Sequence, residues 1–446
     1  MEKVFSKRAW RSEWIRVFMI LMLLTISYQV RAHVFDAVVA KDGTGNFSSV
    51  QDAIDAAPEH NAKPYLIFVK NGEYDELVEI PESKPFIHLI GQDPEKTIIK
   101  SRIHCGGADD VFFRYSVNNY FSESYKKHSV FDAMATDFYT ENITYQNTYG
   151  VERQSGPQAL AMRSYNDRQS FYNCKFRSFQ DTWLTSSDDH VRQYINNCWI
   201  EGAVDYLFGG GNILAENCTF YNVRSGSVIT APCHVDAEYG YVFRDCIVDG
   251  NQQAADGKQK LGRPWHNNAM TIYINTTMKI PVAPEGWTDM GTVPRLFAEY
   301  GSKDINGNPL DLSRRKTEYK YTKKSQTETD GVKEEQITGS CRAVISGDEA
   351  SRYTYDNIIP GSDGWNPRQY MEELSATKKI KLSKSGTLRW TPVAGAIGYL
   401  VIDSHEKVVD ICSKCTTNIQ FPDKSYTIRA VSRYGHIGLP AHISIE

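Results

Sequence analysis

The chain has 446 residues, with 50 basic and 54 acidic side chains and a formal charge of −4. That balance offers no broad basic surface for nucleic acid. The length suits two domains or one long solenoid, and the composition is neither low-complexity nor strongly charged.

Residues 1–32 read as a secretory signal. Lys3, Lys7, Arg8, Arg11, Arg16 and Arg31 outweigh Glu2 and Glu13, giving a local charge of +4. The apolar run Val17 to Leu24 is too short to span a bilayer comfortably. Val30-Arg31-Ala32 resembles a small-residue cleavage site. A secreted or periplasmic protein without stable membrane insertion is therefore expected. Next, Ser48-Ser49-Val50-Gln51 resembles a capping box. Val50, Ala53, Ile54 and Ala57 follow helical spacing up to Pro58, which predicts a short helix that plugs one end of a solenoid. Tyr65 to Val69 reads as a buried strand with a turn at Asn71-Gly72. Strand-like runs recur from Phe86 to Ile274, and Tyr115 to His128 reads as a loop thrown out from one coil.

Two ladders run through this region. Asn173-Cys174, Asn197-Cys198 and Asn217-Cys218 repeat at a period in the low twenties, followed by Asp245-Cys246. Gln158, Asp181 and Asp205 repeat at a similar spacing. One strand signal per such period predicts the coils of a parallel β-solenoid. Neighbouring strands lie about 4.8 Å apart. The glutamine and the two aspartates are therefore expected to form a polar column on one face. The ladder cysteines are expected to point inward as small buried hydrophobes. Cys412 and Cys415 are read as either a local disulfide or two free thiols. Gly209-Gly210-Gly211 is a turn without the Lys-Ser/Thr ending of a phosphate loop.

Composition shifts after Tyr300. Lys303 to Gln336 is highly charged and is expected to run over the surface. Arg352 to Glu373 reads as the closing segment of the same domain. A module begins near Ala376, with alternating runs at Leu388–Trp390, Tyr399–Ile402 and Tyr426–Val431. A chain ending near Thr377 is expected to stay folded.

The polar column holds residue types that can serve nucleophilic and acid–base catalysis. The chain has no Gly-x-Ser-x-Gly elbow, and none of its eleven histidines lies in a recognisable catalytic motif. Two carboxyl groups one rung apart cannot both ionise cheaply. One can attack a carbonyl as the anion while its protonated neighbour serves the leaving alcohol. The amides of Gln158 and Gln180 can donate to the oxyanion. The plainer alternatives are a turn-capping Asp181 and an ordinary amide ladder at Gln158. Glu76 reads as structural.

Five segments, in order, carry a family resemblance. They are Gly72-Glu73-Tyr74-Asp75-Glu76, Gln158-Ala159, Gln180-Asp181-Thr182, Val204-Asp205 through Gly209, and Leu261-Gly262-Arg263-Pro264-Trp265. The chain resembles the pectin methylesterases from about Ala40 to about Pro367. The resemblance implies an all-β fold, a right-handed parallel β-helix with a short amino-terminal capping helix, spanning 33–375. It implies hydrolysis of methyl-esterified polygalacturonate (pectin) to pectate and methanol. By the matching motifs Asp205 is the nucleophile, and Asp181 is the acid and then the base. Gln158 and Gln180 form the anion hole, and Arg263 holds Asp205 ionised. Trp265, Phe208 and Trp183 are the implied sugar contacts. No metal or other cofactor is implied, and a monomer is expected. Residues 376–446, a small β-sandwich-like module, resemble a fibronectin type III domain. Where the family usually places leucine and then an aromatic after Gln-Asp-Thr, this chain has Trp183 and then Leu184. No second tryptophan follows Trp265 closely. An esterase or thioesterase of the same fold, a non-catalytic carbohydrate-binding solenoid and a pectate lyase remain the competing readings.

Overall fold

Short strands repeating once per coil need a partner on each side, and stacking supplies it. The structure, a computed structural model, describes residues 34–104, 129–326, 332–419 and 423–444. The signal sequence read in residues 1–32 and the loop read at Tyr115 to His128 lie outside the described residues. Three parallel sheets of ten, nine and seven strands run along the body. Each strand pairs with the equivalent strand of the next coil, as Tyr65–Val69 does with Ile87–Gly91. The parallel β-helix expected from the period is the fold observed. Among the described residues, no helix is long and apolar enough to cross a membrane.

The corners depend on a particular backbone state. Asn142, Asn173, Asn197, Asn217, Asp245 and Asn275 all adopt positive φ, between 49° and 58°. Asn and Asp tolerate this left-handed region better than other side chains. Asn173 donates to the Asn142 side chain (2.6 Å) and Asn197 to that of Asn173 (3.2 Å). The following cysteines, Cys174, Cys198, Cys218 and Cys246, point into the core and are buried. All eight cysteines among the described residues are free thiols, including Cys412 and Cys415.

One continuous apolar core fills the solenoid from Ala37 to Cys341. Aromatic rings stack through it, with Tyr145 and Phe176 5.4 Å apart and nearly parallel. The helix Val50–Asp55 caps the first coil and buries Val50, Ala53 and Ile54. Its cap differs from the expected box. Ser49, not Ser48, is the cap residue and accepts from Asp52 N. The carboxylate comes from the neighbouring coil, where Glu76 accepts from Ser49 Oγ (2.8 Å), Val50 N (3.0 Å) and Gln51 N (3.1 Å). Placing that charge at the helix start also suits the helix dipole. The structural reading of Glu76 therefore holds.

The charged stretch after Tyr300 is more ordered than its composition suggests. Glu318–Gln326 and Val332–Ser340 form an antiparallel hairpin. Tyr319 at its base is buried in the main core, packed near Phe297 and Cys341. Alternation along a strand sends one ring inward while its charged neighbours stay in water.

The ten-stranded sheet is apolar on both faces. Its outer face has two covers. Residues 345–371, including Ile345, Tyr355, Ile358 and Trp365, pack on Tyr194, Leu214, Val242 and Ile272. The carboxy-terminal strands form antiparallel sheets of three and four strands. Leu400, Ile402, Val408, Val431 and Ile437 of this module pack on Leu66, Phe68, Ile90 and Tyr139. Polar bonds reinforce the seam. Glu141 Oε2 meets His436 Nδ1 (2.8 Å), and its Oε1 accepts from Ile437 N (3.2 Å). His88 Nδ1 lies 2.9 Å from Tyr434 O.

This packing weighs against a separable module. A chain ending at Thr377 would expose Leu66, Phe68, Ile90 and Tyr139, each worth roughly 1.5–3 kcal/mol when buried. We expect a clearly lower melting temperature and dye-binding apolar surface. A truncated chain that melts with the full chain would show that the seam contributes nothing.

Candidate active site

The seven-stranded sheet carries the residues singled out in the sequence. Its strands include Leu160–Ser164, Trp183–Leu184, Val204–Gly209, Val228–Pro232 and Lys260–Gly262. Trp183 pairs with Leu207, and Gln180 bridges to Val204. This register step equals the spacing of the two aspartates, so Asp181 and Asp205 lie side by side. Asp181 N donates to Val204 O at 2.9 Å. Gln158 differs. Met162 pairs with Trp183, a shorter step than the one from Gln158 to Asp181. Gln158 therefore sits further back along its strand, beside Gln180, rather than directly in line with the aspartates.

Backbone shape aims both carboxylates. Asp181 has φ 58° and Asp205 φ 49°. Asp205 and Tyr206 lie in a bulge, because Val204 pairs with Val228 but Leu207 pairs with Thr230. A bulge re-aims a side chain at such a point. Tyr206 turns inward and bonds Asn222 (3.3 Å), leaving Asp205 on the outer face.

Arg263, two strands away, reaches back to Asp205. Its Nε donates to Oδ1 (2.8 Å) and its terminal nitrogen donates to Oδ2 (2.5 Å). This two-pronged contact is the one arginine's planar fork is built to make. Both aspartates are buried, while Arg263 is partly open to solvent. Burial pushes Asp181 well above the usual carboxylate range, the charge of Asp205 adds to the rise, and Arg263 opposes it. Burial also raises Asp205, but the hydrogen bonds and charge of Arg263 pull it back. The first proton to leave the pair therefore leaves Asp205, and the second stays on Asp181. Such a pair holds one nucleophilic carboxylate and one proton donor side by side.

Gln158 is buried, and its amide oxygen has no hydrogen-bond partner among the described residues. An unsatisfied buried amide marks a place where polar capacity is held in reserve. Gln180 is half-buried beside it.

The three expected sugar contacts fare differently. Trp265 is 9% exposed and lies 5.8 Å from Phe208 in an edge-to-face arrangement. Phe208 is only 2% exposed, so it supports Trp265 from beneath rather than meeting a sugar itself. Trp183 does not line the site. Its ring is fully buried in the core, 4.0 Å from Phe176 and 4.7 Å from Phe171, with Nε1 donating to Ser164 Oγ (2.7 Å). The left-handed turn at Asp181 resets the alternation, so the residue at 183 points inward and Leu184 points out. The sequence reading missed the rest of this outer apolar strip: Leu160, Leu184, Ala231, Cys233 and Met290. The register that sets Leu184 beside Phe208 and Phe208 beside Ala231 builds this strip, and nothing in the sequence pointed to Met290.

Fold and site together define the class of structure: a parallel β-helix whose seven-stranded sheet carries a guanidinium-paired carboxylate dyad. The family model described as Pectinesterase matches residues 36–334, and the chain belongs to that family. Pectinesterase 31 of Arabidopsis thaliana is 34% identical over 268 residues, covering 59% of this chain and 80% of that protein. Probable pectinesterase/pectinesterase inhibitor 13 of the same plant is 31% identical over 289 residues, covering 61% of this chain and 44% of that protein. The chain thus spans about half the length of several curated relatives it matches. Among solved structures, pectin methylesterase from carrot aligns with a TM-score of 0.58 at 24% identity, covering 74% of this chain and 94% of that one. Pectin methylesterase PemA from Erwinia chrysanthemi aligns with a TM-score of 0.55 at 21% identity, covering 75% and 98%. These likenesses support the same fold.

The placement of Trp183 is testable. Trp183→Ala should lower unfolding stability by about 3–5 kcal/mol in denaturant titration, the usual cost of emptying a large buried site. A stable variant with only weaker substrate binding would put the ring in the groove instead.

Proposed function

We propose that the protein is an exported pectin methylesterase that hydrolyses methyl-esterified polygalacturonate to pectate and methanol. The observation that carries this reading is the in-register Asp181–Asp205 pair with Arg263 forked onto Asp205 alone. Family membership and the basic, apolar run of residues 1–32 support it.

The chemistry follows from the asymmetry of the pair. Ionised Asp205 attacks the ester carbonyl carbon. Negative charge develops on the carbonyl oxygen, where the amides of Gln158 and Gln180 can donate. The C–O bond to the methoxy group breaks as Asp181 gives it a proton, and methanol leaves. An anhydride between Asp205 and the uronate remains. Asp181, now ionised, takes a proton from water as that water attacks the anhydride. The uronic acid leaves and sheds its proton to solvent to become pectate, Asp205 regains its charge and Asp181 is again protonated. Both aspartates end as they began, and no atom changes oxidation state. Trp265 packs against a sugar ring at the edge of the site. The carboxy-terminal module, with its three- and four-stranded sheets, is a fibronectin type III-like unit, and the enzyme works as a monomer.

Asp205→Asn keeps the size and the tolerance for positive φ while removing the attacking charge. Methanol release should fall by roughly 10³–10⁶-fold, the scale seen when a nucleophile is lost, with the melting temperature preserved. Comparable activity in the folded variant would end this mechanism.

Arg263 gives a separate pH test. It lowers the pKa of Asp205, so Arg263→Ala should raise the lower apparent pKa of the pair. The acidic limb of the rate profile then moves to higher pH, because more acid-side pH is spent with Asp205 protonated. Arg263→Lys should move it less. An unmoved limb with only a higher KM would make Arg263 a substrate-holding residue.

A further inference from the structure

The seam between the solenoid and the carboxy-terminal module holds two buried histidines, one from each side. His88 lies on the solenoid strand Ile87–Gly91, in register with Leu66 and Tyr139. It is fully buried. The rings of Tyr139, Tyr370 and Tyr434 surround it, with centres 5.2, 5.0 and 6.1 Å away. Its Nδ1 lies 2.9 Å from Tyr434 O, which can only accept, so Nδ1 carries the hydrogen. Nε2 is buried with no partner among the described residues. A second proton there would meet no acceptor, and a buried charge without a partner is costly. Burial pushes the pKa of His88 down to about 4, although Tyr434 O and the charges of Glu141 and Asp137 work the other way. Asp137 is itself held by Arg168, at 2.7 and 2.8 Å.

His436 is the reverse case. It lies in the turn between the module strands Ser425–Ser432 and Ile437–Ser444, and it is buried. Its Nδ1 sits 2.8 Å from Glu141 Oε2, and the Tyr172 ring closes over it at 5.8 Å. Glu141 ends the solenoid strand Tyr139–Glu141 and is fully buried. It also accepts from the Tyr139 hydroxyl, from Asn142 Nδ2 (3.2 Å) and from Ile437 N (3.2 Å). Arg429 donates to Gly438 O (2.9 Å) and Ile437 O (3.1 Å), so its hydrogen bonds go elsewhere. Among the described residues His436 is the ion-pair partner of Glu141. Burial works against a charge on His436. Glu141, helped by Glu373, outweighs both that burial and the repulsion of Arg429, and the pKa of His436 is raised.

We propose that these two histidines make docking of the module a pH-gated contact. The seam is tightest while His88 is neutral and His436 is protonated against Glu141. Acid loosens it by charging His88, and alkali loosens it by discharging His436.

The two limbs follow from proton counts. Once undocked, His88 meets water and takes a proton through its ordinary range near 6.5, so docking weakens from there down to about pH 4. An undocked His436 loses its proton near 6.5, whereas the docked one keeps it to higher pH. Its contribution is therefore complete below about pH 6.5 and fades as pH rises through the docked pKa. One proton sets a limit of about tenfold in the docking equilibrium per pH unit on each limb.

Urea titration of the full chain, read by a dye that binds the exposed apolar seam, tests this between about pH 4.5 and about pH 9. The quantity compared is the ratio of variant to wild-type equilibrium constants, in which the titration of the rest of the chain cancels. His88→Gln keeps a donor for Tyr434 O but cannot gain a charge. Relative to wild type it should gain up to about tenfold for each pH unit below about 6.5. His436→Gln should be weakest relative to wild type below about pH 6.5, and should recover by up to about tenfold per unit as pH rises. Asn versions of both substitutions guard against a side chain that does not fit. A pH-independent ratio at either position would make that histidine a fixed structural contact and overturn the two-sided gate.

Discussion

The backbone ladder between successive coils is the constraint on which everything else rests. It holds neighbouring strands about 4.8 Å apart. Two aspartates placed at the same level of adjacent strands are therefore forced into each other's field, and neither can move away. Arg263 breaks the symmetry by gripping one of them. The same ladder explains the core. Side chains of one coil stack on their equivalents in the next, so rings and thiols form columns rather than scattered contacts.

The ladder also has a cost that the rest of the chain addresses. A parallel sheet is usually covered on both faces, and the ten-stranded sheet here is no exception. Half of its outer face is closed by residues 345–371 and half by the carboxy-terminal module. The module is thus part of how the solenoid keeps water from its backbone and apolar surface. Its buried Glu141–His436 contact is a polar fixture within that seam.

Much of this was legible in the sequence, for identifiable reasons. The Asp181 to Asp205 spacing could be read because it equals the register step of their strands. Gln158 could not be placed as well, because the step between its strand and the next is shorter. The inward turn of Trp183 depends on the positive φ of Asp181, which no hydrophobic pattern encodes. The cap of the first helix was read one residue early because its carboxylate, Glu76, comes from a different coil. The docked module was missed for a similar reason. A run such as Tyr65-Leu66-Ile67-Phe68-Val69 looks the same whether one face or both are covered, and only its neighbours in space reveal Leu66 and Phe68 as an interface.

The bulge at Asp205 and Tyr206 has a consequence for how this architecture can change over time. Loops that leave the coils can lengthen or shorten freely, because closing a longer loop adds little entropy. A single residue gained or lost between Val204 and Leu207 is different, since it swaps the inward and outward sides of that rung. Variation should therefore collect in the walls around the dyad, where it retunes what is gripped, while the rungs that carry the dyad stay at constant length. The chemistry is locked to the stack, and the taste for substrate is left to the edges.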